Sequence, residues 1–216
     1  MGTEDWYRRA TWSEQDQQAF FDRLARSRGT YHKAQYVRIQ ASYLEESADP
    51  ALVRAAMGLL DMMLDKWPDP SQVAQAHHQR ATCYVRLAEP LRAVECLRQA
   101  LQAEREYPNT RTQAAIDLAW LTGTKGLSVH YAEALAALAF VDALVFPVER
   151  FKAHGAQALI LSATGQNGAA RAHARKALEA AAATDSGFRY HRQLGLVGDA
   201  YADVTKRLRE LAAAEQ

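Results

Sequence analysis

Apolar residues along the chain recur every three or four positions, the interval that places them on one face of a helix. Leu52, Ala55, Ala56, Leu59, Leu60, Met63, Leu64 and Trp67 make the broadest stripe. Ala34, Val37, Ala41 and Leu44 make a narrower one, with Tyr31, Tyr36 and Tyr43 near the same face. Phe20, Phe21, Leu24 and Ala25 do the same near the start, and Val197, Tyr201, Val204, Leu208 and Leu211 near the end. Ser13 with Asp16 is a helix-start signal, as is Asp49-Pro50, where a carboxylate cap precedes a proline in the first turn. Gly165-Gln166-Asn167-Gly168 is a compact turn, with Gly165 suited to positive φ and Asn167 to capping the next helix. These signals predict helices from Ser13 to Gly29, from Thr30 to about Ser47 and from Pro50 to Pro68. Six more follow at 71–88, 90–105, 110–122, 128–145, 148–164 and 167–184, and a last one after Asp185-Ser186-Gly187.

Within this pattern one unit occurs twice. His77, Ala81, Ala93, Arg98, Ala100, Leu101 and Ala103 reappear 77 positions on as His154, Ala158, Ala170, Arg175, Ala177, Leu178 and Ala180. Half that interval is a helix pair with its turns, and Ala119, Ala132 and Ala139 supply an expected copy between them. Proline keeps the same time: Pro68, Pro108 and Pro147 are 40 and 39 residues apart, each preceded by an aromatic residue. Proline cannot continue a helix interior, so it marks the junctions independently of the alanines. The expectation is an all-α, right-handed α-solenoid of about ten helices in stacked antiparallel pairs, each burying its apolar face against its neighbours. It spans 1–216 as one domain: an N-terminal cap at 1–29, a degenerate repeat at 30–70, repeats at 71–109, 110–147 and 148–184, and a capping helix in 185–216.

These repeats resemble the tetratricopeptide repeat, which places small residues where its two helices cross. Ala81, Ala93 and Ala100, and again Ala158, Ala170 and Ala177, fall at those small positions, and Tyr84 and Leu161 at the large position that follows. Gly165 matches the family's turn glycine; its counterpart in the earlier copy is Ala88. The period is nearer 39 than the family's 34, and His77 and His154 stand where the family often has Trp or Leu. The resemblance implies a protein-binding groove lined by the first helix of each pair. Its candidate residues here are Arg38, Ser42, Gln75, His78, Thr82, Arg86, Trp120, Lys152 and Leu159. The Lys, Asn and Arg set with which some members hold a terminal carboxylate is incomplete, since the asparagines are missing.

Composition narrows the choice of partner. With 26 basic and 25 acidic residues the formal charge is +1, so the basic excess expected of a nucleic-acid binder is missing. No apolar run has membrane-spanning length, and the N-terminus lacks the shape of a signal peptide. Cys83 and Cys96 are expected as buried thiols rather than a disulfide, and the chain reads as cytoplasmic. No metal site is expected: adjacent His77 and His78 point about 100° apart, although His154 and His173 can meet across the last hairpin. No phosphate loop, nucleophile elbow or isolated carboxylate pair is present, so neither catalytic residues nor a cofactor are expected. The aromatic and arginine residues of positions 1–12 are read as a cap over the first repeat, with a partner contact as the alternative. The functional expectation is a non-catalytic module that binds a protein or peptide as an adaptor, an escort or a neutralising partner. A regulator binding nucleic acid or a small molecule is the alternative, a hydrolase is further off, and self-association stays open.

Overall fold

The computed structural model describes residues 5–141 and 143–214. Positions 1–4 of the expected cap, position 142 of the expected 128–145 helix, and positions 215 and 216 lie outside these. The described residues form ten α-helices and no strand: α1 (Glu14–Arg26), α2 (Thr30–Glu45), α3 (Pro50–Lys66), α4 (Pro70–Arg86), α5 (Pro90–Glu106), α6 (Ala114–Lys125), α7 (Tyr131–Leu138), α8 (Pro147–Ala163), α9 (Asn167–Ala181) and α10 (Ala202–Ala213). The chain, expected as one array, divides at Ala114–Ala115 into two compact units.

In the first unit, α2 pairs with α3 and α4 with α5, and α4 also packs on α2 and α3. Ala34, Val37, Ala41 and Leu44 bury the inner stripe of α2 against Val53, Ala56, Leu60 and Met63 of α3. Each fully buried Leu, Val or Met there contributes about 1.5–3 kcal/mol of transfer free energy. Ala81 of α4 and Ala93 and Ala100 of α5 are buried, as close helix crossing demands of small residues. Asp49 and Asp69 cap α3 and α4 by accepting from Ala51 N and Ser71 N at 2.8 and 3.0 Å. Trp67 and Tyr107 end α3 and α5 directly before their prolines.

The N-terminal segment closes this unit. Ser13 and Asp16 exchange the two bonds of a capping box at the start of α1. Bonds from Ser13, then Thr11 and Arg9, hold the Asp16 carboxyl down at about 2. Trp6 and Tyr7 pack their rings on Tyr36, and Trp6 and Trp12 pack on Phe20. Gln40, fully buried in α2, clamps the segment by donating to Arg9 O at 2.7 Å and accepting from Arg9 N at 3.0 Å.

In the second unit, α8 and α9 pair, and α10 packs on both. Ala158, Ala170 and Ala177 are buried like their counterparts. The likeness extends to the backbone of the turn. Glu89 N donates to Tyr84 O at 2.9 Å and Gln166 N to Leu161 O at 2.8 Å, bonds that are 77 positions apart at both ends. Between them Gly165 has φ +79°, and Ala88 takes the same left-handed region at +58°. A residue with a Cβ is strained there by roughly 1–2 kcal/mol. Asn167 is not the cap of α9 but its first residue, following Gln166.

The middle copy departs furthest from expectation. Its first helix starts at Ala114 rather than 110, because the preceding segment is tied down: Thr112 N donates to buried Glu104 at 2.9 Å, and Thr112 Oγ1 receives Ala114 N at 3.1 Å. Gly123, expected in a turn, lies inside α6, where a Cβ would come within 3.2 Å of Ala156 O on α8. Ala119 is buried, but Ala132 and Ala139 are exposed, and Ala134 and Leu138 face inward instead. The expected 128–145 helix is a single 3-10 turn followed by α7. Phe146-Pro147 therefore opens α8 rather than closing the helix before it.

The last helix also starts late, at Ala202. Gly187 and Gly195 take φ of +84° and +69°, and Val148 N donates to Gly195 O at 2.8 Å, pinning the loop to the start of α8. Gly195 is required by space as well as by φ, since a Cβ would sit 2.6 Å from the Phe146 ring.

Candidate protein-binding surface

The first helices of the two pairs in the first unit, α2 and α4, pack against each other, and each leaves one stripe outside the core. On α2 it runs Arg38, Ser42, Glu45, and on α4 Gln75, His78, Thr82, Arg86, at spacings of three and four. Arg38 joins the helices: its Nε donates to Gln72 Oε1 at 2.7 Å and its Nη1 to Gln79 Oε1 at 3.4 Å. Both partners are neutral amides, and among the described residues no carboxylate pairs with this half-buried guanidinium. Burial pulls the Arg38 pKa below its ordinary value, against a smaller opposing effect of Tyr31.

The hydroxyls of this face are spent locally. Ser42 Oγ donates to Ile39 O at 2.8 Å and Thr82 Oγ1 to His78 O at 3.3 Å. Gln75 Oε1 is buried without a hydrogen-bond partner, and Arg86 is exposed. Glu45, at the end of α2, lies in the field of Arg86 and His78 from α4. Desolvation nonetheless pushes its pKa up to about 7, with Arg86 and His78 opposing and Glu46 assisting. As half of the acidic pair Glu45-Glu46 at a helix end, Glu45 does not stand out in the sequence. The signal was there, since 38, 42 and 45 form one stripe.

The second unit does not present its candidates in the same way. Leu159 is only 6% exposed, in a cluster with Phe151, Ala174, Ala177 and Leu208 of α10. Trp120 packs its ring on Phe151 and Tyr201, at 5.5 and 5.6 Å, and lies over Gly155. Lys152 is ion-paired with Asp117 of α6. The expectation that Trp120, Lys152 and Leu159 line an open groove is corrected accordingly: α10 packs over them or a neighbouring carboxylate holds them.

The remaining chemistry is sparse. Cys83 and Cys96 are free and buried, and desolvation pushes the Cys83 thiol up to about 12, far from a nucleophilic thiolate. His154 and His173 do meet, Nδ1 to Nδ1 at 3.2 Å, with Gln157 Oε1 also 3.2 Å from His154. Burial lowers both histidine pKa values, keeping the rings neutral. No group of three or more His, Cys, Asp or Glu side chains gathers to hold a metal among the described residues. None of the described helices is long and apolar enough to cross a membrane.

Residues 74–107, which take in α4 after its first turn, the turn that follows and α5, match the family model of the tetratricopeptide repeat. The described residues are all-helical, and the chain carries a tetratricopeptide-repeat-like unit at 74–107. No match was found among curated proteins. The matched segment holds the buried Ala81, Ala93 and Ala100, and its first helix is the one that carries Gln75, His78, Thr82 and Arg86. Repeats of this kind generally mediate contacts between proteins, and a protein-binding module is the class of function that the match supports.

Proposed function

We propose that the protein is a non-catalytic module that binds an extended segment of a partner protein on the α2–α4 face of its first unit, acting from the cytoplasm as an adaptor, escort or neutralising partner. Arg38 is the anchor. The observation that carries this reading is its guanidinium, half-buried between two helices and met, among the described residues, only by glutamine oxygens. A buried cation without a counter-charge is costly, and an acidic side chain on the partner supplies that charge together with paired hydrogen bonds. Arg86, exposed on the α4 stripe of the same face, extends the positive field toward the end of the face. The surface is fixed before binding, because its side chains stand on packed helices rather than loops, which lowers the entropic cost of association.

The test is selection of octapeptides from a displayed random library against the full chain, followed by titration of the winners against variants. Arg38→Ala is expected to weaken binding about tenfold or more, the usual effect of truncating a buried arginine contact. Arg86→Ala is expected to weaken it less. Selected peptides that ignore both changes would move the interface off this face. Binding of a defined single-stranded RNA with a steep salt dependence would favour the nucleic-acid alternative instead.

A further inference from the structure

Glu45 is a half-buried charge on this face whose sign is opposite to that of Arg38. The two stand seven residues apart on α2, about 10 Å along the axis at 1.5 Å per residue. Glu45 is half-buried, and no hydrogen bond or ion pair of its own is found among the described residues. The charged and titratable groups facing it are Arg86, His78 and Cys83 of α4 and its neighbour Glu46. Arg86 and His78 do not offset what burial costs, so near neutral pH the carboxyl is only partly ionised. The unfolded chain would hold this group ionised from about pH 5 upward. The folded protein therefore keeps a proton that the unfolded chain has lost, and Glu45 takes stability away as pH rises from about 4.5 to about 7. A carboxyl held at such a cost on an open face is suited to a cation brought by a ligand.

We propose that Glu45 receives a lysine or arginine side chain of the bound segment. This rests on the binding reading above and gives it a chemistry: the partner carries an acidic residue for Arg38 and a basic one about 10 Å away. In an extended chain of the polyproline II type, with three residues per turn and about 3.1 Å per residue, residues three positions apart lie on the same side at about that separation. The arriving cation favours the ionised carboxylate, so the proton on Glu45 passes to the buffer as the complex forms. No other bond is made or broken.

The experiment uses the full chain and acetylated, amidated octapeptides of Ala and Ser. Each carries one fixed Glu, with a single Lys stepped from one to six positions away on either side. Isothermal titration calorimetry at pH 7 in phosphate and in Tris, which differ in ionisation enthalpy, reads affinity and proton release together. The expected result is a maximum at a spacing of three, at least tenfold tighter than the lysine-free peptide. About half a proton is released per complex at that pH, as follows from a carboxyl titrating at about 7. Glu45→Gln, which keeps the shape and removes the buried charge, should bring the best peptide down to the lysine-free affinity and abolish the proton release. Thermal unfolding of that variant confirms that it folds. Peptides that bind through Arg38 but ignore lysine, or that release no proton, overturn the role of Glu45 and leave the binding face standing. Failure of every peptide to bind overturns both.

Discussion

The same three positions of the repeat carry different side chains in the two units. Gln75, His78 and Thr82 of α4 correspond, 77 positions on, to Lys152, Gly155 and Leu159 of α8. In the first unit these positions are polar, and the face they share with α2 carries Arg38, met by neutral amides, and Glu45, for which no ion pair is found among the described residues. In the second they are a paired lysine, a glycine and a leucine. There α10 has its Leu208 3.3 Å from where a Cβ on Gly155 would be. One scaffold thus serves two ends. Where the positions are small and apolar the chain covers them with its own helix, and where they are polar they form the proposed binding face.

The covered face breaks most severely. Leu208 is fully buried among Phe151, Leu159 and Ala177, so Leu208→Ala should cost about 2–5 kcal/mol, the range for such truncations in a packed core. Hydrogen exchange should rise across α8, α9 and α10 and leave α2 and α4 protected. Trp120→Ala belongs to the same class and would disrupt the second unit instead of probing a groove. A loss of partner binding with no loss of stability would contradict this.

The paired turns give a smaller and signed effect. Ala88→Gly relieves a left-handed alanine and should stabilise by up to about 1 kcal/mol, the gain being reduced by the greater freedom of an unfolded glycine. Gly165→Ala should destabilise by about 1–2 kcal/mol, since it builds the same strain into the other copy. Denaturant midpoints measure both. Changes of the same sign in the two turns would mean that they are not equivalent.

The smallest effect distinguishes two carboxylates of the first unit, Asp16 and Glu45, by pH. Asp16, held at about 2 against an ordinary 3.8, contributes stability that is present above pH 4 and is lost as pH falls toward 2. Asp16→Asn should remove that slope, and the melting temperatures of variant and parent should converge on acidification. Glu45→Gln should behave oppositely, gaining on the parent as pH rises from 5 to 8. Parallel melting curves across the whole range would remove the assigned shifts.

Much of this architecture is legible in the sequence, because a helix pair repeats its small residues and its prolines at fixed places. Ala81 and Ala158, or Pro50 and Pro90, each have one structural role that follows from size or from a missing amide hydrogen. The signal failed where it became degenerate. Residues 131–139 contain alanine at 132, 134, 136, 137 and 139, so spacing could not say which of them face inward, and the two chosen were exposed. The late start of α10 was hidden because Val197 and Tyr201 continue the apolar spacing of Val204 and Leu208, although Val197 lies in the loop and Tyr201 in a separate 3-10 turn. On the candidate surface, the α2 and α4 residues were legible as stripes of one helix each. Trp120 and Leu159 were misplaced because what covers them is α10, more than 40 residues further along, and no local pattern announces that packing.

Hydrogen exchange of the full chain, with and without the tightest of the octapeptides, tests the contrast between the two faces most directly. The account predicts slowed exchange confined to 30–45 and 70–86, vanishing in Arg38→Ala. Slowed exchange in α6, α8 or α10 with none in α2 and α4 would contradict it.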